Sequence, residues 1–156
     1  MGKISYIEDF EAWKAEFFFS IPIRIRFSET DMFGHVNNVS PFIYFEEARI
    51  EYLKSVGLFD NASSTEGIPI VADLQCDYHK QLYFQDSLRI YVKAAHVGTT
   101  SFDIHYMGVN QKEEVCLTGR GRIVYINPES GRPIKLGEEI KDKLMMVTNE
   151  HIKPTS

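Results

Sequence analysis

The feature that most constrains the fold of this 156-residue chain is a change of hydrophobic period. At 100° per residue, Phe42, Phe45, Arg49, Leu53 and Val56 fall on one face, with Tyr52 and Glu46 at its margins, while Glu47, Glu51, Lys54 and Ser55 point away. Ser40 can act as an N-cap, Pro41 suits the first helical position and Gly57 can close the far end, so a helix is predicted across this stretch. Beyond it the spacing drops to two. Ile70, Ala72, Leu74, Cys76 and Tyr78 alternate, as do Leu88, Ile90, Val92 and Ala94, then Phe102, Ile104 and Tyr106, then Val115, Leu117, Gly119, Gly121, Ile123 and Tyr125. One more alternating run, Ile21, Ile23, Ile25 and Phe27, precedes the helix, with Pro22 suggesting an edge at its start.

One long helix and about five antiparallel strands define an α+β domain, with a sheet long enough to curve around the helix. Such a sheet leaves edges and an outer face on which a second copy could associate. Turn-like residues at 97–100 and 110–114 separate the later strands, and the last two are predicted to form a hairpin. A polar loop is expected over 60–67, a turn over 127–133 and a short helix near 137–148. At the start, Phe10, Trp13 and Phe17 have helical spacing within 8–17. A length of 156 residues with 44% hydrophobic content suits one domain over 1–156, with its core at about 20–140.

The formal net charge of −5 argues against a nucleic-acid surface, which needs a basic stripe. The apolar run 17-FFF-19 is too short for a signal or a membrane span, so a cytoplasmic protein is expected and the triplets at Asn38 and Asn61 carry no meaning as glycosylation acceptors. Cys76 and Cys116 have no nearby partner that would make a metal knuckle or redox pair, and read as two buried thiols. Eleven Phe and eight Tyr could line an apolar pocket, or fill the core and a subunit interface.

The densest polar chemistry lies in 29-ETDMFGHVNN-38, between the first strand and the helix. A carboxylate just ahead of a helix N-terminus sits near free backbone N–H groups and the positive end of the helix dipole. Those donors can hold an oxyanion while the carboxylate attacks a carbonyl or activates water. Asp31 could equally cap the turn, with the Asn pair satisfying loop backbone. On the helix, Glu46 and Arg49 lie one turn apart and could pair with each other. The chain has no GxSxG elbow, P-loop or GxGxxG.

Three quoted stretches, 26-RFSETD-31, 34-GHVNN-38 and 44-YFEEAR-49, resemble the signature of the 4-hydroxybenzoyl-CoA thioesterase type of hotdog-fold proteins. The segments 73-DLQCDYHKQLYFQDSLRIYVK-93, 98-GTTSFDIHYMG-108 and 131-GRPIKL-136 resemble its remaining strands and closing turn, so the likeness runs over about residues 20–140. The resemblance implies a hotdog fold, a curved sheet wrapped round a central helix. It implies a homodimer or tetramer with the active site at the subunit interface, and hydrolysis of an acyl-CoA thioester to acid and thiol. It implies no cofactor, coenzyme A being part of the substrate; the turn chemistry needs no metal, and neither a membrane nor nucleic acid is expected as a partner. Asp31 matches the family's catalytic carboxylate, as nucleophile or general base, and the backbone of Asn38 matches the carbonyl-polarising N–H. His35 and Asn37 match positions that shape the turn or contact the thioester, and Glu46 matches a helix carboxylate that is a second candidate base. His79, Lys80 and the turn Gly98, Thr99, Thr100 and Ser101 fall where relatives line the pantetheine channel, while Lys80, Lys93, Arg120 and Arg122 are candidates for the nucleotide phosphates.

Two residues depart from the pattern. Phe33 stands where the related plant acyl-carrier thioesterases place an Asn of their catalytic network, and Pro41 stands where many relatives carry Tyr. The competing expectations are an acyl-carrier-protein thioesterase, disfavoured by the acidic charge, and a non-catalytic acyl-CoA-binding protein. The regulatory relatives of that second kind carry a helix-turn-helix, for which about twenty residues before the first strand leave no room. A hydratase is disfavoured by the setting of His35 in GHVNN.

Overall fold

The computed structural model describes residues 2–58 and 67–146. The elements run α1 (Phe10–Ala15), β1 (Phe19–Ile23), a 3-10 turn (Phe27–Glu29), α2 (Ser40–Ser55), β2 (Ile68–Tyr78), β3 (Leu88–Ala95), β4 (Ser101–Val109), β5 (Val115–Ile126) and α3 (Glu138–Met145). The strands form one antiparallel sheet in the order β1-β3-β4-β5-β2, so β1 and β2 are its edges. This is the α+β arrangement expected from the change of period, and the hotdog fold that the family resemblance implies. The loop expected over 60–67 lies almost wholly outside the described residues, as do Asn61 and the end of the C-terminal segment.

Helix α2 is held on the sheet by its apolar stripe. Phe45, Ala48, Leu53 and Val56 are buried, and Phe45 stacks on Tyr106 of β4 at 4.4 Å between ring centroids. Removing each of Phe45, Leu53 and Val56 from water contributes on the order of 2 kcal/mol. The close approach needs Gly119 on β5, because a Cβ there would lie 2.5 Å from the Phe45 ring and 2.7 Å from the Gln75 carbonyl oxygen. Gly57, at φ +88, closes the helix as a left-handed C-terminal glycine. The N-terminus differs from the sequence reading by one residue. Ser40 is the first helical residue, Val39 holds the cap position, and the capping side chain is that of Asn37.

Two strands also differ from expectation. β1 ends at Ile23; Ile25 remains buried, but Phe27 is 69% exposed because the chain turns into a 3-10 turn there. In β2 the alternation expected to bury one face leaves Ile70, Ala72 and Tyr78 exposed, since this is an edge strand with neighbours on one side only and a register shift between Val71 and Asp73. Cys116 is buried as expected, whereas Cys76 on this strand is only half-buried.

β4 is the opposite case. Every residue from Phe102 to Val109 is buried, on both faces. One face meets α2; the other is covered by the N-terminal segment, where Trp13 and Phe17 pack with Met107 and Val109 in a cluster separate from the main core.

Candidate active site

The polar stretch before α2 folds into a miniature hairpin. Asn37 N donates to the Glu29 carbonyl (2.8 Å), Thr30 bridges Val36, and Asp31 N donates to the His35 carbonyl (2.7 Å). Gly34 turns the chain at φ +80 and donates to the Asp31 carbonyl at 3.0 Å. The Asp31 carboxylate completes the turn: its Oδ1 accepts from Phe33 N (2.8 Å) and His35 N (3.1 Å). Both functions foreseen for Asp31 are therefore compatible, since one oxygen shapes the turn and the other takes part in no hydrogen bond among the described residues. The hairpin is pinned to the body of the protein by Val36 N on the Leu82 carbonyl (2.7 Å) and by the His35 ring lying edge-on to Tyr83, 4.9 Å away. At its base, Glu29 Oε1 accepts from Arg26 N (2.8 Å) and the Tyr44 hydroxyl (2.9 Å).

The adjoining helix terminus has a specific pattern of used and unused donors. Asn37 Oδ1 accepts from Val39 N (3.0 Å), Ser40 N (2.9 Å) and Ser40 Oγ (2.9 Å). Pro41 has no N–H, and Phe42 N donates to the Val39 carbonyl at 3.1 Å. Asn37 N is used in the hairpin. From 37 to 42, the Asn38 amide alone donates to no group among the described residues. Its own carbonyl is fixed by the Tyr78 hydroxyl. Burial pushes that hydroxyl up to about 12, with the neighbouring Cys76 adding to the effect, so it stays protonated and donating. Asn38 opens onto a cavity of about 190 Å³ walled by Pro41, Tyr78, His79, Lys80 and Leu117, among others.

His79 and Lys80 thus share the cavity of Asn38 within one chain. His79 Nε2 is 2.8 Å from Thr118 Oγ1, and burial lowers its pKa despite the opposing pull of Asp77, which favours a neutral ring. Lys80 pairs with Glu114, which raises its pKa.

The other predicted site residues lie elsewhere. The Glu46 side chain is 61% exposed and faces a separate groove of about 1150 Å³ walled by Ile23, Ile25, Ile43 and Phe84. It approaches Arg49 only to 3.9 Å, while Arg49, buried, donates to the Tyr106 hydroxyl at 3.1 Å. The turn Gly98–Ser101 sits at the opposite end of the sheet. Ser101 pairs Val124, near the Ile68 end of β2, whereas His79 follows Tyr78 at the other end. The length of β2 separates them, roughly 33 Å for ten steps along a strand. Of the other phosphate candidates, Arg120 is paired with Asp73 and Asp103, and Arg122 with Asp103. Lys93 is buried under the N-terminal segment, bonded to the Trp13 carbonyl and Glu16, so it cannot serve as a surface cation.

Sequence reasoning passed over Tyr78 and Tyr44, whose hydroxyls fix the Asn38 peptide and Glu29. Tyr78 appeared only as the last alternating residue of a strand, and nothing local marked its hydroxyl. It also passed over a cluster on the outer face, where one ligand-type atom each from His96, Asp103 and His105 lies within 4.8 Å of the others. Trp13 Nε1–H donates to His105 Nδ1 at 2.8 Å, so the proton of the neutral ring is on Nε2, a buried donor with no partner among the described residues. A protonated Nε2 has no lone pair for a cation.

Fold and site define a class: a hotdog protein with a carboxylate-bearing turn ahead of a helix N-terminus. The thioesterase-like superfamily model matches residues 25–144, and the chain belongs to that superfamily; it is a thioester hydrolase. It is 44% identical over 142 residues to the YsmA protein of Bacillus subtilis (strain 168), covering 90% of this chain and 95% of that one. It is 26% identical over 132 residues to a chloroplastic acyl-acyl carrier protein thioesterase, ATL3, of Arabidopsis thaliana, covering 82% and 68%. Among solved structures, a predicted thioesterase from Bacillus stearothermophilus superposes with a TM-score of 0.73 at 29% identity, covering 88% of this chain and 98% of that one. A Thermus thermophilus thioesterase complexed with coenzyme A and zinc gives a TM-score of 0.70 at 27% identity, covering 81% and 97%.

Proposed function

We propose that the protein hydrolyses acyl-CoA thioesters, with Asp31 as the reacting carboxylate and the Asn38 amide polarising the thioester carbonyl. The observation that carries this reading is the Asn38 N–H, which the Asn37 cap and Pro41 leave without an acceptor among the described residues, beside a turn that leaves one Asp31 oxygen without a hydrogen bond among them. The relative solved with coenzyme A supports the choice of thiol.

The carbonyl carbon becomes tetrahedral as oxygen adds, and its oxygen takes the negative charge that the Asn38 N–H stabilises. Two routes use this arrangement. As general base, Asp31 takes a proton from water as the water oxygen bonds the carbonyl carbon; collapse expels the thiolate, which is then protonated. As nucleophile, Asp31 itself bonds the carbonyl carbon, expels the thiolate and leaves a mixed anhydride for water to cleave. His35 and Asn37 act as positioning residues, one docking the hairpin and the other capping α2. His79 and Lys80 line the approach to Asn38.

Two copies make the functional unit in this reading. An antiparallel pairing of β2 with the β2 of a second copy reverses one edge against the other. The Gly98–Ser101 turn of one copy is thereby carried toward the Asn38 end of its partner, which removes the separation found within one chain. The exposed Ile68, Ile70 and Val71 on β2 supply apolar surface for such a pairing. A carrier-protein substrate, as named for the Arabidopsis relative, is the second reading; the net charge of −5 opposes docking of an acidic carrier.

The test is thiol release from a panel of aliphatic, benzoyl and phenylacetyl CoA esters, run with wild type, Asp31→Asn and Glu46→Gln. The expected result is turnover that falls by about 10²–10⁴ in Asp31→Asn and is retained in Glu46→Gln. Full activity in Asp31→Asn would remove the carboxylate assignment, and loss in Glu46→Gln alone would move it to the helix.

A further inference from the structure

The N-terminal segment is built onto the sheet's outer face rather than trailing from it. Trp13 and Phe17 are buried there, with Tyr6 and Phe10 half-buried beside them, against Tyr91, Met107, Val109 and Val115. Polar anchors fix the register. Trp13 Nε1 donates to His105 Nδ1 (2.8 Å), Lys93 Nζ donates to the Trp13 carbonyl (2.7 Å) and Glu16 Oε1 (3.1 Å), and the Tyr6 hydroxyl donates to Asp77 (3.0 Å). The Lys93 ammonium also lies 5.1 Å from the Trp13 ring centroid and 4.7 Å from that of Phe17. The superfamily match begins at residue 25, after both this segment and β1.

Four aromatic side chains of this size cover on the order of 600 Å². That is as large as the largest apolar patch an ordinary monomer leaves open, and it approaches the roughly 800 Å² per partner of a standard interface. Beside the segment the same face carries charges of both signs: Arg120 and Arg122 lie among Asp73 and Asp103 at 3.2–3.4 Å, with Arg122 and Asp73 about half exposed, a mixed pattern that a two-fold axis can match to itself.

We infer that the N-terminal segment is an intramolecular plug that occupies the outer sheet face in place of a second copy, and so stops assembly at the pair formed through β2. The number two rests on the β2 pairing proposed above; the plug does not. Release of the segment opens an apolar patch beside these charges on each pair, and two pairs join back to back.

Light scattering on the full chain and on a chain begun at Phe18 tests this, with circular dichroism reporting that each is folded. The expected masses are two copies for the full chain and four for the shortened one. If the shortened chain folds and keeps the mass of the full chain, the plug is not the barrier and the inference falls. Four copies in the full chain, with β4 protected from chemical labelling by a neighbouring copy, would also overturn it. One copy in the full chain and two in the shortened one would leave the plug standing and remove the β2 pairing instead. If the shortened chain does not fold, Trp13→Ala with Phe17→Ala in the full chain decides: its mass doubles with concentration if the segment is the plug, and stays that of wild type if it is not.

Discussion

Asn37 is the residue on which the geometry of the site turns. One side-chain oxygen accepts three donors at the start of α2, and among the described residues this leaves the Asn38 amide as the one without an acceptor. Asn37→Ala should cost about 1 kcal/mol, the usual loss for a removed cap, and should also lower kcat/KM, because the freed Val39 and Ser40 amides no longer define a single donor. Asn37→Asp, which preserves the acceptor, should restore thermal stability; melting curves beside steady-state rates separate the two effects. His105 makes a second prediction. Burial first, then the nearby charges of Lys93, His96 and Arg120, lower its pKa to about 3. The unfolded chain, with an ordinary histidine, binds more protons than the folded one between about pH 6.5 and 3. Stability from this group is therefore complete above about pH 7 and is lost as pH falls, by about 2 kcal/mol at pH 5. Denaturant titrations at pH 7.5 and pH 5 should show that loss in wild type and a smaller one in His105→Gln, which keeps an acceptor for Trp13.

The elements meet where a side chain is missing. β5 passes under α2 at Gly119, and the space that a Cβ would take is occupied by the Phe45 ring. Gly119→Ala should destabilise by about 2–3 kcal/mol through overpacking, and thermal melting checks it. Combining it with Phe45→Leu should recover part of that loss, since the obstruction is the ring and not the backbone alone. The same elements show how the helix stripe admits a charge. Arg49 sits in the buried row because Tyr106 supplies an acceptor inside the core, while Glu46, on the margin, remains in solvent.

The whole molecule has one sheet face on α2, one face under its own N-terminus, and β2 as an exposed apolar edge. If β2 is the pairing edge, Ile70→Lys with Val71→Lys should yield single copies in light scattering. Thioester hydrolysis should then drop to the level of Asp31→Asn, because the Asn38 end loses what the second copy brings. A single copy with wild-type rate would place the whole site within one chain.

What could be read in the residues, and what could not, divides along the range of the interactions. The period change from helix to alternating strands, the Gly57 stop, the hairpin of β4 and β5 and the turn at Asp31 to Asn38 were legible, since each depends on neighbours a few positions apart. Phe27 and the β2 alternation were misread because period two says which residues share a face, and not whether anything covers that face. The docking of Trp13 on His105, ninety-two positions away, and of Tyr78 on Asn38, forty away, left no local trace. Those contacts arise only when the sheet brings distant strands side by side, and they settle how the Asn38 peptide is anchored and which face is closed.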